Sequence, residues 1–436
     1  MKQGNELAIA VQVRQMQTRK RTPREVVDEA LSRIKDRESE IGAFAHLDAE
    51  AVRRRADECP IDRSLPLAGI PVGVKDNIDG VDGPTTCGSS IYRARMAPID
   101  APIVSALQRL GAIPFGKTVC TEFATFTAGK TRNPHQLEHT PGGSSSGSAA
   151  AVAAGFLPLA LGTQTAGSIV RPASYCGVVG FKPSRGRYSP GGVKLLAHSF
   201  DTVGWFTRTV SDARYVQSAL RGELEDGRLA SRLPVIGLCR TPWWSQGDMA
   251  LMDQAFKFLT RGLKAFGIGH RWLDAPPEHA ALVEHHGTVM RYEVAQSLGA
   301  EYGQFREELS PSLRALIEEG QAVRASAYMQ ACEAIDRESA MLSSWMHGLD
   351  AVVVPAVPSP APRLELGTGD PVFCRPWSAL GGPAVAFPVL TMPSGLPFGL
   401  QAVAPRYDDE RLLWAAQWLE RAVSNSASQP TTPIHP

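Results

Sequence analysis

Residues 141–150 read PGGSSSGSAA and residues 162–173 read GTQTAGSIVRPA. How one chain uses two serine–glycine runs this close together decides its fold. The first run contains Gly143-Ser144-Ser145-Ser146-Gly147, which formally fits G-x-S-x-G, the elbow that presents a hydrolase nucleophile. That elbow needs a hydrophobic strand immediately before it, and residues 133–141, NPHQLEHTP, are loop chemistry. A phosphate-binding loop fails too, because no lysine follows the glycines. A flexible linker is a poor reading, since a helix-forming alanine run follows at once. What remains is a loop meeting a helix N-terminus, with hydroxyls and free N–H groups aimed at one spot. The second run has the same character. Thr165-Ala166-Gly167-Ser168 is a stretch of small residues whose backbone N–H groups can converge on an oxygen, the arrangement of an oxyanion hole.

A serine nucleophile needs a base, and no histidine has a local context that supplies one. A lysine serves if burial or cationic neighbours keep it neutral. Lys75 is the candidate, because it closes the apolar stretch Ala68–Val74. From the residues alone it reads equally as a lysine snorkelling to water at a strand end.

The wider chain sets limits on partners. Its 436 residues, 43% hydrophobic, can bury a large core. The 40 glycines and 33 prolines indicate many tight connections rather than a helical bundle. A formal net charge of +1 gives no signature for nucleic acid or an anionic membrane. The basic clusters at 19–24 and 53–55 sit among Asp28, Glu29, Asp57 and Glu58 and read as solvated helix faces. Seven scattered cysteines, with no C-x-x-C, suit a reducing compartment and buried thiols. His285 and His286 are adjacent, so their side chains diverge on a helix and no metal site is expected. No signal peptide is evident, and the small-apolar run Ala149–Gly162 is too short to span a bilayer. A cytoplasmic protein is expected.

Thr22-Pro23-Arg24-Glu25 is a helix start, with Thr as N-cap and Glu placed to reach back. Strands are expected at Leu67–Val74, Ala112–Phe115, Pro234–Cys239, Asp350–Val354, Ala384–Leu390 and Leu396–Ala404. Helices are expected at Ile103–Leu110, Ser148–Ala154 and Met249–Phe266, over most of about 275–350, and around Leu412–Leu419. Alternating strands and helices indicate an α/β layered domain over residues 1–423. The Ser/Thr/Pro-rich tail, 424–436, is expected to be disordered.

LAGIPVGVKDNID, PGGSSSGSAA and GTQTAGSIVRPASYCGVVGFKPS together closely resemble the amidase signature family, as do GGPAVAFPVL and GLPFGLQAVA downstream. The motif core is about 66–206, and the resemblance covers most of the chain. It implies a mixed central sheet covered by helices on both faces, and a Ser–Ser–Lys triad. Ser168 would be the nucleophile, Ser144 the bridging serine held by a cis peptide, and Lys75 the base behind it. The N–H groups of Thr165, Ala166, Gly167 and Ser168 would form the oxyanion hole. Ser145, Ser146 and Ser148 would be mostly scaffold, with Ser145 able to support Lys75. The implied reaction is hydrolysis of a small amide through a serine acyl-enzyme, without metal or organic cofactor, in a protein expected to form a homodimer. The rivals are an amidotransferase A-type subunit working with partner subunits and an inactive scaffold on the same fold.

Two positions depart from the family pattern. Gln164 stands where Asp or Glu is usual. The arginine usually two residues after the nucleophile is replaced by Val170, and Arg171 follows. This GTQT-x-GS-x-x-RPA variant resembles malonamidase-type members. Arg171 therefore has two readings: a fork of donors for a substrate carboxylate, as on malonamate, or a tie to backbone carbonyls.

Overall fold

The computed structural model describes residues 8–62, 64–80, 83–223 and 232–428. Thr22 begins the first long helix, Pro23–Ile41, with the expected reciprocal cap: its hydroxyl accepts from Glu25 N, and the Glu25 carboxylate accepts from Thr22 N. Val26, Val27, Ala30, Leu31 and Ile34 form the buried stripe of this helix. The basic clusters lie on a solvated face. Arg24 and Arg53 both pair with Asp28, and each reaches a further acid, Asp57 and Glu50 respectively.

These helices pack on one mixed sheet, eleven-stranded among the described residues. In chain order the strands are β1 Phe44–His46, β2 Pro71–Lys75, β3 Ile113–Thr118, β4 Leu159–Gln164, β5 Val179–Lys182, β6 Thr202–Thr207, β7 Val235–Arg240, β8 Gly269–Asp274, β9 Ala351–Pro355, β10 Ala384–Thr391 and β11 Pro397–Val403. Across the sheet they run β1-β3-β2-β4-β6-β5-β10-β11-β9-β7-β8. β2 is parallel to both its neighbours, β3 and β4. From β4 through β6, β5, β10, β11 and β9 every pairing is antiparallel. The strands β2 to β6 and β9 are buried along their whole length, which requires cover on both faces. The molecule is a single α/β domain with helices flanking a large mixed sheet.

The expected strands are present with edges shifted by a few residues; Leu67–Ile70 forms turns before β2 begins at Pro71. The sequence reading missed β1, β4, β5, β6 and β8. β4 starts in the apolar Leu159–Leu161 and runs into the GTQT motif, whose polar residues read as loop. β8 is an edge strand with no buried residue, so it has no apolar alternation to detect. The region about 275–350 is helical as expected, through Leu282–Ser297, Gly299–Phe305, Pro311–Gln321 and Ala325–Trp345. The last helix, Asp409–Ser428, runs past the expected boundary at 424. The rest of the expected disordered tail, 429–436, lies outside the described residues. All seven cysteines are free thiols. Among the described residues no helix is long and apolar enough to cross a membrane.

The helix Ser146–Ala153 shows why the alanine run is so small-sided. Ala149, Ala150, Ala151 and Val152 have no exposed surface. A Cβ on Gly147 would lie 2.1 Å from Ala43 O and 2.3 Å from Val119 N, both backbone atoms that cannot step aside. Gly147→Ala is therefore expected to destabilise the protein by about 1–3 kcal/mol or more. Thermal denaturation should show a lower melting temperature; a native-like value would mean the helix can shift outward without penalty.

Candidate active site

β2 and β4 point the same way, so their carboxyl ends open on one side of the sheet, where open α/β sheets bind ligands. Lys75 is the last residue of β2 and is fully buried. Its Nζ lies 2.8 Å from Ser144 Oγ and 2.7 Å from Thr163 Oγ1. Thr163 Oγ1 also accepts from Asn77 Nδ2 at 3.1 Å. Burial, the largest influence, holds the Lys75 pKa below the usual lysine range, against opposing contributions from Cys120, Asp201 and Cys87. The snorkelling alternative is thereby excluded for Lys75.

Ser144 follows a cis Gly143–Ser144 peptide bond, as the resemblance implies. The neighbouring serines are tied to backbone. Ser145 Oγ donates to Thr163 O at 3.2 Å, Ser146 Oγ to Gly142 O at 2.8 Å, and Ser148 Oγ to Leu161 O at 2.7 Å. Ser145 thus steadies the strand that carries Thr163 and does not touch Lys75 directly.

The turn between β4 and the helix Val170–Cys176 holds Thr165 to Ser168. Strand, turn and helix follow in the order an elbow requires, at the second run rather than the first. In this turn the backbone is held by its carbonyls. His286 Nε2 donates to Thr165 O at 3.1 Å, Ser378 Oγ to Ala166 O at 2.7 Å, and Arg171 N to Gly167 O at 2.9 Å. The Thr165 hydroxyl donates to Asp201, whose other oxygen accepts from Leu196 N and Ala197 N. The N–H groups of Thr165, Ala166, Gly167 and Ser168 donate to no described residue. Carbonyls fixed outward and N–H groups left free are the requirement for receiving an oxyanion.

The supports of this turn are titratable groups whose states follow from burial. The Asp201 pKa is pushed up to about 6 by desolvation, against the pull of its Thr165, Leu196 and Ala197 donors. Burial pushes His286 down to about 3, so the ring is neutral and can donate through Nε2. It stacks on Phe200 at 4.3 Å between centroids. Gln164 takes the place of the usual carboxylate: its Oε1 accepts from Ile169 N and Val170 N, and its Nε2 donates to Ser378 Oγ.

The structure joins Lys75 directly to Ser144 and places Ser168 at the end of the free N–H run. The Ser168 hydroxyl has no hydrogen bond to a described residue, so the Ser144–Ser168 link is open here. Arg171 takes the second of its two readings. It is almost entirely buried, at 1% exposure. Its guanidinium donates to Gly369 O at 2.7 Å, Gly143 O at 2.7 Å and Thr368 Oγ1 at 3.2 Å. Sequence reasoning missed Thr163, Asn77, Asp201, His286 and Ser378. Thr163 and Asn77 lay inside the quoted motifs, GTQT and LAGIPVGVKDNID, as the polar residues nearest the ends of β4 and β2. Among the described residues no cluster of His, Cys, Asp and Glu is arranged to hold a metal.

The sequence profile of the Amidase family matches residues 25–236 and 277–413. The A subunit of the glutamyl-tRNA(Gln) amidotransferase from Anaeromyxobacter dehalogenans (strain 2CP-C) is 33% identical, over 93% of this chain and 94% of its own. A solved amidase structure superposes with a TM-score of 0.86 at 33% identity, covering 94% of this chain and 99% of the other. The native peptide amidase of Stenotrophomonas maltophilia superposes at 0.80 with 26% identity, covering 95% and 96% respectively.

Two outcomes follow from this geometry. Folding lowers the Lys75 pKa, so the unfolded chain binds the proton more tightly, and this group makes stability rise with pH between its folded and unfolded values. Lys75→Met should remove that dependence and abolish turnover while keeping a native-like melting temperature at pH 7; a loss of fold would make Lys75 structural. Arg171→Ala should leave three buried acceptors unpaired and cost about 3 kcal/mol or more. Its turnover should fall alike on acidic and neutral amides. A selective loss on acidic substrates would restore Arg171 as a carboxylate ligand.

Proposed function

This chain belongs to the amidase family, and we propose that it hydrolyses the C–N bond of a small linear amide through an acyl-enzyme on Ser168. The observation that carries this reading is an amine with no exposed surface, held low in pKa by burial, 2.8 Å from a serine hydroxyl. A charged lysine there would be costly, and a neutral one has a lone pair for a proton.

In the proposed reaction Lys75 takes the Ser144 proton while Ser144 takes that of Ser168, whose Oγ attacks the carbonyl carbon. Binding of substrate closes the Ser144–Ser168 link, since catalytic hydrogen bonds tighten in the Michaelis complex. The negative charge arising on the carbonyl oxygen meets the free N–H groups of Thr165 to Ser168. Collapse of the tetrahedral species breaks the C–N bond as the relay returns a proton to the leaving nitrogen. Water then attacks the Ser168 ester by the same relay and releases the acid. Every proton is accounted for by these three side chains. Within the family, the GTQT-x-GS-x-x-RPA pattern supports a malonamidase-like preference for a short monoamide bearing a carboxylate. We place the enzyme in the cytoplasm as a homodimer.

A second reading is favoured by the relatives named as A subunits of glutamyl-tRNA(Gln) amidotransferase, which align along almost the whole chain. In that case the chain would be a glutaminase component needing partners. Acid or ammonia release by the isolated protein across a panel of small amides separates the two. Activity on short amides without partners supports the hydrolase; glutamine hydrolysis only after adding partner subunits supports the amidotransferase. Ser168→Ala should lose turnover by at least about 10⁴-fold. It should also lose the covalent adduct that mass spectrometry detects on the native protein; an adduct on Ser145 would refute the assignment of the nucleophile. The activity should rise with pH through a lysine pKa below the ordinary range and level off before that range is reached.

A further inference from the structure

Next to the oxyanion turn lies a cleft of about 500 Å³, whose walls include Tyr175, Thr368, Gly369, Asp370, Pro371 and Arg375. The turn and the cleft share a wall. A Cβ on Gly167 would sit 2.9 Å from Cys374 Cβ and 3.1 Å from Pro371 Cβ, so this wall packs directly against the N–H run. Arg171 holds the same wall from behind, through Gly369 O and Thr368 Oγ1.

Arg375 is the unexplained group in this cleft. Its side chain is half-buried, makes no hydrogen bond or ion pair with a described residue, and has a buried Nε without a partner. Asp370 lines the cleft as well and attracts it, but is not close enough for an ion pair; Asp370 Oδ1 instead accepts from Val372 N at 2.9 Å. A second guanidinium, Arg291, is near enough to repel Arg375. Arg291 stands on the helix Leu282–Ser297 and folds back over Gly287, beside the His286 that supports Thr165. It too makes no side-chain hydrogen bond to a described residue. Arg375 thus brings to the cleft wall a guanidinium fork with no hydrogen-bond partner among the described residues, the donor geometry that suits a carboxylate.

We propose that Arg375, with Arg291 behind it, is the anchor for a carboxylate on the substrate, and that it selects acid-bearing amides at the Ser168 centre. This rests on the amide-hydrolase reading and assigns its acid recognition to residues other than Arg171. The substrate class is a short dicarboxylic acid with one end as the primary amide: the amide carbon reaches Ser168 and the free carboxylate receives the guanidinium donors.

The test compares succinamate with succinamide, which differ only in carboxylate against carboxamide, and malonamate with malonamide. The native enzyme should favour the monoacid in each pair. In Arg375→Gln the ratio of kcat/KM for monoacid over diamide should fall at least about tenfold. Arg375→Lys should recover part of it, and Arg291→Gln should lower it less. An unchanged ratio in Arg375→Gln overturns the anchor, even if both amides are hydrolysed well. If the native protein hydrolyses none of the four, the choice of these amides as substrates fails separately. The anchor is then judged by binding: succinate, but not succinamide at the same concentration, should raise the melting temperature of the native protein and not of Arg375→Gln. No difference between succinate and succinamide on the native protein overturns it.

Discussion

Everything at this centre depends on burying the Lys75 amine without an ion-pair partner. Isolated charge in a protein interior is so costly that the group neutralises instead. Two other lysines, Lys117 and Lys182, are also buried, and the comparison sets the surroundings of Lys75 apart. Lys117 donates to Ile78 O and Thr85 Oγ1, and Lys182 to Pro183 O and Gly382 O. Carbonyl oxygens only accept, so they reward an amine for keeping its hydrogens. Lys75 also donates to one carbonyl, Thr163 O, at 3.4 Å, but its two closest partners are hydroxyls, Ser144 and Thr163, against one hydroxyl for Lys117 and none for Lys182. A hydroxyl donates as readily as it accepts. The site therefore accommodates both protonation states of Lys75 with little rearrangement, which a proton relay needs and an anchoring lysine does not.

The second constraint is the turn after β4. Free N–H groups in a protein interior are destabilising, and a chain left to itself would turn them toward a carbonyl. Here every carbonyl from Thr165 to Gly167 is already occupied, by His286, Ser378 and Arg171 N. That leaves the N–H groups no protein acceptor and fixes their direction before substrate arrives, so little reorganisation is left for the reaction itself. The neutral state of His286 matters in this role. A charged imidazolium would add a third cation beside Arg291 and Arg375; burial against Phe200 prevents it.

How far the sequence reveals this centre depends on the range of each contact. Lys75 and Ser144 are legible because each sits in a run whose composition is locally odd: a lysine closing an apolar strand, and serines ahead of an alanine helix. The free N–H run is legible for the same reason. Asp201, His286 and Ser378 are not, because they reach the turn from 36, 121 and 212 residues away and nothing near them in sequence marks the target. The fold divides similarly. β2 and β9 to β11 are apolar runs bounded by turn residues. β4 to β6 read less plainly: β4 runs from an apolar start into the threonine and glutamine of GTQT, β5 has only four residues, and β6 has threonine at both ends.

The departures at 164 and at 170–171 meet in one turn, where Gln164 Oε1 accepts from Val170 N and Arg171 N donates to Gly167 O. Ser378 has a single hydroxyl proton, and it goes to Ala166 O. A carboxylate at 164 would compete for that proton and release the Ala166 carbonyl. Gln164 instead donates to Ser378 Oγ while still accepting from Ile169 N and Val170 N, so the turn keeps all its supports. Without an acid at 164, a fully buried arginine at 170 would face no counter-charge there. One residue later the side chain is rotated by about 100° around the helix. At 171 it meets the carbonyls of Gly143 and Gly369, dipoles that hold the guanidinium in place without cancelling its charge. Arg171 holds the cleft wall through Gly369 and Thr368, and Asp370 of that wall attracts both Arg171 and Arg375. The wall packed against Gly167 thus carries the Arg375 guanidinium, while Arg171 is used entirely in holding the backbone.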